Sequence, residues 1–247
     1  MSGPRGPVVR RVKERLVRRK IRRRGALRWT AAAAAAAAGA LAVSGCGQTQ
    51  LGAAALYSNH RISTATLAAE VANLNTGYQA DKHKLQIQYT QADLPRQVLT
   101  WMLRFATTEQ VAKRTGIRVT PAQAQKQLND ERARAGQAGD TLGEAAVING
   151  LPPDLLPELG RWIAIQVKLQ DRLDNGVPPT TNAAQQALAI KVNHVQCLAA
   201  KSLHIKVNPQ YGAYDYRQFI VVPATNMLAA APGKKPASQA PQLTPKC

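Results

Sequence analysis

The sequence predicts a mainly helical domain with a small β-sheet, placed behind an export signal. Long segments between residues 63 and 203 repeat apolar side chains at steps of three and four, which is the spacing of an amphipathic helix. Capping signals start several of these segments, and short strand-like segments flank the set at both ends. Only about 4% of the residues are aromatic, so the core must consist mainly of aliphatic side chains.

The export signal is indicated by the apolar run from Ala31 to Val43, which leads into Val43-Ser44-Gly45-Cys46. This run is too short to cross a hydrocarbon core of ~30 Å, which takes about 20 apolar residues, but it suits the hydrophobic region of a signal peptide. The tetrapeptide resembles the bacterial lipobox. The resemblance implies cleavage between Gly45 and Cys46, a lipid on the Cys46 thiol, and a mature chain anchored to membrane lipid on the outer face of the cytoplasmic membrane. The alternatives are a cleaved signal without lipid, or a buried helix with Cys46 as a core thiol.

The first 30 residues are strongly basic. They hold twelve of the 33 Lys and Arg residues and one of the 14 acidic residues, so +11 of the net charge of +19 lies there and +8 remains for the rest. Positive charge keeps the flank of an apolar segment on the cytoplasmic side, and residues 1–45 are therefore predicted to be a signal peptide with a long basic region. Residues 23–27 loosely resemble a twin-arginine signal; the export route and a start later than Met1 both stay open. A nucleic-acid arm explains the cluster less well, so no nucleic-acid partner is predicted.

A tether and a β-hairpin follow the signal. Residues 46–53 are predicted to be a lipidated tether, and residues 54–57 and 60–62 to pair around Ser58-Asn59, because Asn tolerates the left-handed conformation of a tight turn. Two short strands are not stable alone, so a third strand must come from elsewhere in the chain. Residues 205–207 are the candidate. This strand would close a domain spanning residues 54–222.

Six helices are predicted between the hairpin and that strand. The first begins at Ser63 or Thr64, and the second begins at Asp93 and ends at Gly116, which supplies a left-handed C-cap. Capping boxes at 120–123 and 141–144 start the third and fourth helices. The third helix, to about Ala135, is mostly polar and should pack on one narrow side only.

The last two helices lie at about 154–175 and 181–203. The fifth helix has an apolar arc wider than one stripe, which predicts cover on more than one side. Beyond Val222 the chain contains five prolines in 25 residues and little that could be buried. Residues 223–247 are therefore predicted to be a disordered tail.

The order of these parts supports a resemblance to a known family. A hairpin behind a lipobox, a capped helix, an apolar helix ending at residues 116–120, a polar helix and a long apolar helix precede the segment Asn208-Pro209-Gln210-Tyr211-Gly212. The arrangement resembles the N-terminal chaperone domain of the SurA, PrsA and trigger factor group, in particular lipid-anchored SurA-like proteins of high-GC Gram-positive bacteria. The resemblance covers most of residues 52–222. It implies a helical domain that binds unfolded or exported polypeptides; the oligomeric state is left open.

The sequence contains no recognisable catalytic motif. The four histidines have no metal-site spacing, Cys197 and Cys247 lack a Cys-x-x-Cys arrangement, and there is no P-loop, Gly-x-Ser-x-Gly or Gly-x-Gly-x-x-Gly. Members of the resembled group often carry a parvulin-type isomerase domain, but only 35 residues follow Gly212 and residues 120–180 lack its strands. We therefore expect no enzyme activity, no metal and no cofactor.

The candidate site for polypeptides is an apolar groove between helices, rimmed by polar groups. Its candidate residues are Leu99, Trp101, Met102, Phe105, Trp162 and Ile163. The structural alternative is that these side chains are ordinary core. The functional alternative is a lipoprotein subunit that binds one partner or a cell-envelope polymer and assists no folding.

Two cysteines remain if Cys46 carries lipid. In an oxidising compartment Cys197 and Cys247 can form a disulfide, which would close a loop of roughly 50 residues and stabilise the fold by about 4 kcal/mol in the chain-entropy model. Alternatively, Cys197 is a small buried hydrophobe and Cys247 a free terminal thiol.

Overall fold

The computed structural model describes residues 52–224, apart from residues 82–84, 86 and 88, together with Cys247. The predicted signal peptide, the cleavage position between Gly45 and Cys46, and most of the Pro-rich tail lie outside the described residues.

The described residues are mainly helical, as predicted from the apolar spacing. Six α-helices are present among them: α1 (Thr64–Asp81), α2 (Leu94–Thr115), α3 (Pro121–Ala138), α4 (Leu142–Ile148), α5 (Leu156–Leu173) and α6 (Asn182–Ser202). Short 3₁₀ turns at Gln91–Asp93 and Pro153–Leu155 lead into α2 and α5.

A three-stranded antiparallel sheet joins the two ends of the helical region. Strand β1 (Ala53–Tyr57) pairs with β2 (His60–Ser63) on one side and with β3 (Lys206–Val207) on the other. The predicted hairpin and the predicted third strand are both confirmed. The turn differs in detail, because Ser58 and not Asn59 adopts the left-handed conformation, with φ of 47°. The Ser58 N–H donates to the Leu203 carbonyl at 2.6 Å, which ties this turn to the end of α6.

Side-chain caps begin α1, α3 and α4 at the predicted places, whereas Asp93 precedes α2 without a side-chain cap hydrogen bond. Ser63 Oγ accepts from the Thr66 N–H at 2.9 Å, and reciprocal capping boxes form at residues 120–123 and 141–144. Gly116 ends α2 in the left-handed conformation, with φ of 69°. Helix α3 continues three residues beyond the predicted end, to Ala138, where Gly139 supplies the C-cap.

Helix α3 packs closely on α5 through a single small residue. A Cβ atom at Gly160 would lie 2.5 Å from Leu128 Cγ and 2.6 Å from the Ala124 carbonyl oxygen, so the helices approach each other over a surface that has no room for a side chain. Leu128 is buried, and so is Ala135 two turns along the same face. Helix α5 also contacts α2 and α6, which confirms the prediction that it is covered on several sides.

The core formed by the described residues consists of two hydrophobic clusters that meet along α2. The larger lies beneath the three-stranded sheet and includes Leu67, Leu74, Val98, Leu99 and Leu103, all essentially inaccessible to solvent. The smaller cluster packs the C-terminal half of α2 against α5 and α6, through Val111, Ile165, Leu169, Val192 and Ala199.

A second hairpin, which the sequence analysis did not predict, covers α2. Strands β4 (Ala213–Asp215) and β5 (Ile220–Val222) pair antiparallel, and the Val221 N–H donates to the buried Thr100 hydroxyl at 2.9 Å. The turn depends on Asp215, whose carboxylate accepts from the Arg217 and Gln218 N–H groups, and on Phe219, which has a φ of 57°.

Candidate functional site

Three partly exposed aromatic rings form a cluster at the junction of α2 and α5. The Trp101 ring centroid lies 5.9 Å from that of Trp162 in an edge-to-face arrangement and 5.8 Å from that of Phe105. Trp101 and Phe105 share a face of α2 because they are four residues apart. The Trp101 Nε1–H donates to the Asn149 carbonyl at 3.0 Å, which fixes the indole against the end of α4.

A cleft of about 220 Å³ opens on one side of this cluster. We call it the apolar cleft, because most of its wall is aliphatic or aromatic. Its lining residues include Trp101, Leu142, Ala145, Leu159, Trp162 and Ile163. Leu151, which is fully buried, forms part of its floor. A cleft with this lining can hold an aliphatic side chain of another molecule.

A second cleft, of about 300 Å³, opens on the other side of Trp162. We call it the polar cleft. It is lined by Arg104, Thr107, Thr108, Trp162, Gln196, Gln218 and Phe219. Trp162 therefore belongs to both clefts.

Hydrogen bonds hold the polar groups of this second cleft in place. Gln196 donates to the Gln166 side-chain carbonyl at 2.8 Å, and Gln166 donates to the Thr108 hydroxyl at 3.3 Å. Opposite them, Arg104 Nε donates to the Phe219 carbonyl at 3.2 Å, so the second hairpin helps to position the guanidinium. The guanidinium also lies 5.1 Å from the Trp101 ring centroid, a cation–π distance.

The electrostatics of the polar cleft are set by burial. Desolvation lowers the pKa of Arg104 from its ordinary value, but an arginine in a protein keeps its charge. Tyr214 lies beside it, and burial raises the pKa of this phenol to about 12, so Tyr214 is neutral at physiological pH. The Tyr214 hydroxyl is 3.5 Å from Thr107 Oγ1.

The structure places only some of the predicted binding residues on this surface. Trp101, Trp162 and Ile163 line the apolar cleft, and Phe105 stacks beside Trp101. Leu99 is a correction: it is 0% exposed because it faces the larger core cluster. Met102, which is partly buried, also packs against that core cluster.

Several residues of the two clefts were missed by the sequence analysis. Arg104 comes three residues after Trp101, and this spacing indicates that the two side chains share a face of α2. Leu142 and Ala145 come from the short α4, and Gln196 and Gln218 come from segments distant in sequence, so no local pattern indicated them.

Cys197 and Cys247 are joined by a disulfide in the structure, with their Cα atoms 5.8 Å apart. The Cys197 side of the bond is buried in α6, with 5% of the residue exposed. Lys201 Nζ donates to the Cys247 carbonyl at 3.1 Å. The structure thus favours the bridge over a pair of free thiols.

Two further properties concern the described residues alone. Within residues 52–224 and Cys247, no helix has both the length and the apolar character needed to span a bilayer. No cluster of three or more histidine, cysteine or acidic side chains suited to a metal ion occurs in the same part of the chain.

Comparison with known proteins returns no match to a family model, to a curated protein or to a solved structure.

Proposed function

We propose that this chain is a lipid-anchored protein of the outer face of the cytoplasmic membrane whose helical domain binds unfolded or extended polypeptides without catalysing a reaction. The lipobox-like residues at 43–46 support the anchor. The order of elements, with a hairpin joined to a C-terminal strand around a helical domain, supports the proposed relationship to SurA-like chaperones.

The observation that carries the binding proposal is the aromatic cluster of Trp101, Phe105 and Trp162 between two unlike clefts. Successive side chains of an extended peptide point to opposite sides, and its backbone offers a donor and an acceptor at every residue. The apolar cleft suits a side chain, and the amides and hydroxyls of the polar cleft suit backbone groups. Contacts of this kind recognise extended chain without requiring one sequence.

Suppression of aggregation tests this proposal. We expect residues 47–247 to slow the aggregation of an unrelated unfolded protein. Ala145→Glu should weaken that effect, because Ala145 lines the apolar cleft and the longer charged side chain would occupy it. Ala187→Glu is the matched control, since it makes the same change at an exposed position of α6.

A negative result in the aggregation test bears on the alternative function. If the fragment does not slow aggregation, and a single protein is recovered stably with it from the cell envelope, the alternative of a dedicated partner-binding subunit replaces the chaperone proposal.

The anchor has a separate test. Cys46→Ala removes the only thiol that the lipobox resemblance assigns to the lipid, so the variant should lose acylation and lipoprotein-type cleavage. Partition into detergent phase and intact mass measure both properties. A variant that still partitions into detergent with the wild-type processed mass would show that residues 43–46 are not a lipobox.

A further inference from the structure

Arg104 is a half-buried cation without an acidic partner among the described residues. Its one hydrogen bond there is from Nε to the Phe219 carbonyl, which leaves the two terminal nitrogens of the guanidinium free at the polar cleft. Burying part of a charge without pairing it costs free energy, so this arrangement calls for an explanation.

The neighbouring Arg161 provides a comparison, because its guanidinium is paired with groups of the same chain. Both Nε and Nη2 of Arg161 bind the Glu109 carboxylate, with the Nη2 to Oε2 distance at 2.9 Å, and Nη1 donates to the Val119 carbonyl. That guanidinium is fully paired within the chain. Arg104 lies on the same helix as Glu109 but is paired with no carboxylate of the described residues.

The other described residues that line the polar cleft are neutral. Two threonines, two glutamines and two aromatic residues complete its lining, and the adjacent Tyr214 is a phenol protonated at physiological pH. The cleft therefore presents one positive charge, together with neutral donors on opposite walls. A ligand group that complements it carries one negative charge and several acceptor lone pairs.

We propose that the polar cleft binds a carboxylate of a bound polypeptide, with Arg104 as its ion-pair partner and Thr108, Gln196 and Gln218 around it. The inference rests on the proposed function and adds to it a preference among polypeptides. A planar carboxylate accepts two parallel bonds from a guanidinium, which matches the two free nitrogens of Arg104. A phosphate dianion would keep a net negative charge in a cleft whose described lining holds one cation, Arg104.

Such a carboxylate is available at the C terminus of any polypeptide and on acidic side chains. Seating it beside Trp162 leaves the preceding residues next to the apolar cleft, since Trp162 lines both volumes. The same indole would then contact a carboxylate on one face and an aliphatic side chain on the other.

Three peptides test the proposal. All are N-acetylated hexapeptides of alternating alanine and leucine: one has a free C-terminal carboxylate, one a C-terminal amide, and one a C-terminal amide with glutamate as its last residue. They are titrated in a nonionic detergent against the processed chain that begins at Cys46. Trp101 and Trp162 are the tryptophans of that chain, so its tryptophan fluorescence arises from these two rings.

The free acid should bind about ten- to a hundredfold more tightly than the amide, which is the range expected for a charge-assisted hydrogen-bonded pair. If the glutamate peptide matches the free acid, acidic side chains are accepted; if it matches the amide, the site selects chain ends. Either result supports the proposal.

Two variants assign the preference to Arg104. Arg104→Gln should abolish the difference between acid and amide, and Lys113→Gln, which removes one charge from an exposed position of the same helix, should preserve it. Gln218→Glu leaves Arg104 in place but adds a carboxylate to the cleft wall, so it should also reduce the preference for the acid. Because Gln218 is exposed and the change is isosteric, this variant guards against a folding defect in Arg104→Gln.

The possible failures are distinct. Equal affinity for acid and amide, or a preference that survives Arg104→Gln, overturns the carboxylate site and leaves the chaperone proposal standing. Stronger competition by inorganic phosphate than by acetate at equal concentration overturns it in favour of a phosphate ligand. No fluorescence response to any of the peptides overturns the proposed function and the carboxylate site together.

Discussion

Glu70 on α1 holds a carboxylate oxygen, Oε2, that is buried without a hydrogen-bond partner. Desolvation, followed by the charges of Asp154 and Glu158, raises the pKa of this carboxyl above its ordinary value. A raised pKa means that the folded state disfavours the ionised form, so Glu70 lowers the free energy of unfolding at pH 7. That loss is recovered as the pH falls through the folded-state pKa and the carboxyl becomes protonated.

Glu70→Gln should therefore stabilise the protein at pH 7 by roughly 0.3–1 kcal/mol, a modest gain because solvent screens this site. The gain should vanish near pH 3.5, where Glu70 is protonated in the parent as well. Urea unfolding at pH 7 and at pH 3.5 measures this gain in the free energy of unfolding. Glu131→Gln serves as a control because Glu131 pairs with Arg134 instead of facing other acids. A gain of equal size at both pH values would show that charge is not the cause.

Thr100 is a second residue whose effect can be isolated. Its hydroxyl, on a side chain that is 5% exposed, accepts the Val221 N–H of the second hairpin. Thr100→Val keeps the shape but leaves that buried N–H unsatisfied, which should cost about 1–3 kcal/mol of stability.

Hydrogen exchange identifies the cause of this cost, because the Val221 amide should lose protection in Thr100→Val. Thr115→Val is the control, since that hydroxyl only donates to the Val111 carbonyl within the same helix and leaves no donor unpaired. Unchanged protection of Val221 would rule out the proposed role of Thr100 in holding the hairpin.

At the scale of elements, the contact between α3 and α5 depends on Gly160. Gly160→Ala would place its Cβ within 2.6 Å of backbone on α3, so the helices must separate, and we expect a loss of about 1–3 kcal/mol. Gly136→Ala makes the same change within α3, where nothing lies within 4 Å, and should stabilise by about 0.5–1 kcal/mol through better helix propensity.

Opposite signs for these two variants in thermal unfolding would establish that close packing, and not helix propensity, keeps glycine at position 160. A stabilising Gly160→Ala would contradict the observed approach of the two helices.

The elements that could be predicted from the sequence are those with local signals. The capping boxes at 120–123 and 141–144, the glycine after α2 and the pairing of residues 205–207 with the first hairpin needed only neighbouring residues or a missing strand partner. The second hairpin has strands of three residues, and its turn uses Phe219 in a conformation that phenylalanine rarely adopts, so no local pattern marks it.

The candidate site was predictable only in part for a related reason. Helical spacing identified the α2 residues, but Leu99 and Trp101 are both apolar and only the position of the sheet decides which of them faces the core. The polar cleft is assembled from α2, α5, α6 and the second hairpin, so it depends on tertiary packing throughout.

At the scale of the whole molecule, the bond between Cys197 and Cys247 joins the end of the chain to α6. Breaking it should lower the free energy of unfolding by up to about 4 kcal/mol in the chain-entropy model, and by less to the extent that the bond also restricts the tail in the folded state. Intact-mass analysis after alkylation under denaturing conditions should show no free thiol at these two positions before reduction and two after it. Two alkylated thiols without reductant would exclude the bridge, and Cys247→Ser provides the unbridged protein for comparison of stability.

The same bond makes a ring of residues 197–247. A protease that cuts once inside this ring adds only the mass of one water and releases nothing. A single cut in the Pro-rich segment therefore leaves both pieces joined until the disulfide is reduced.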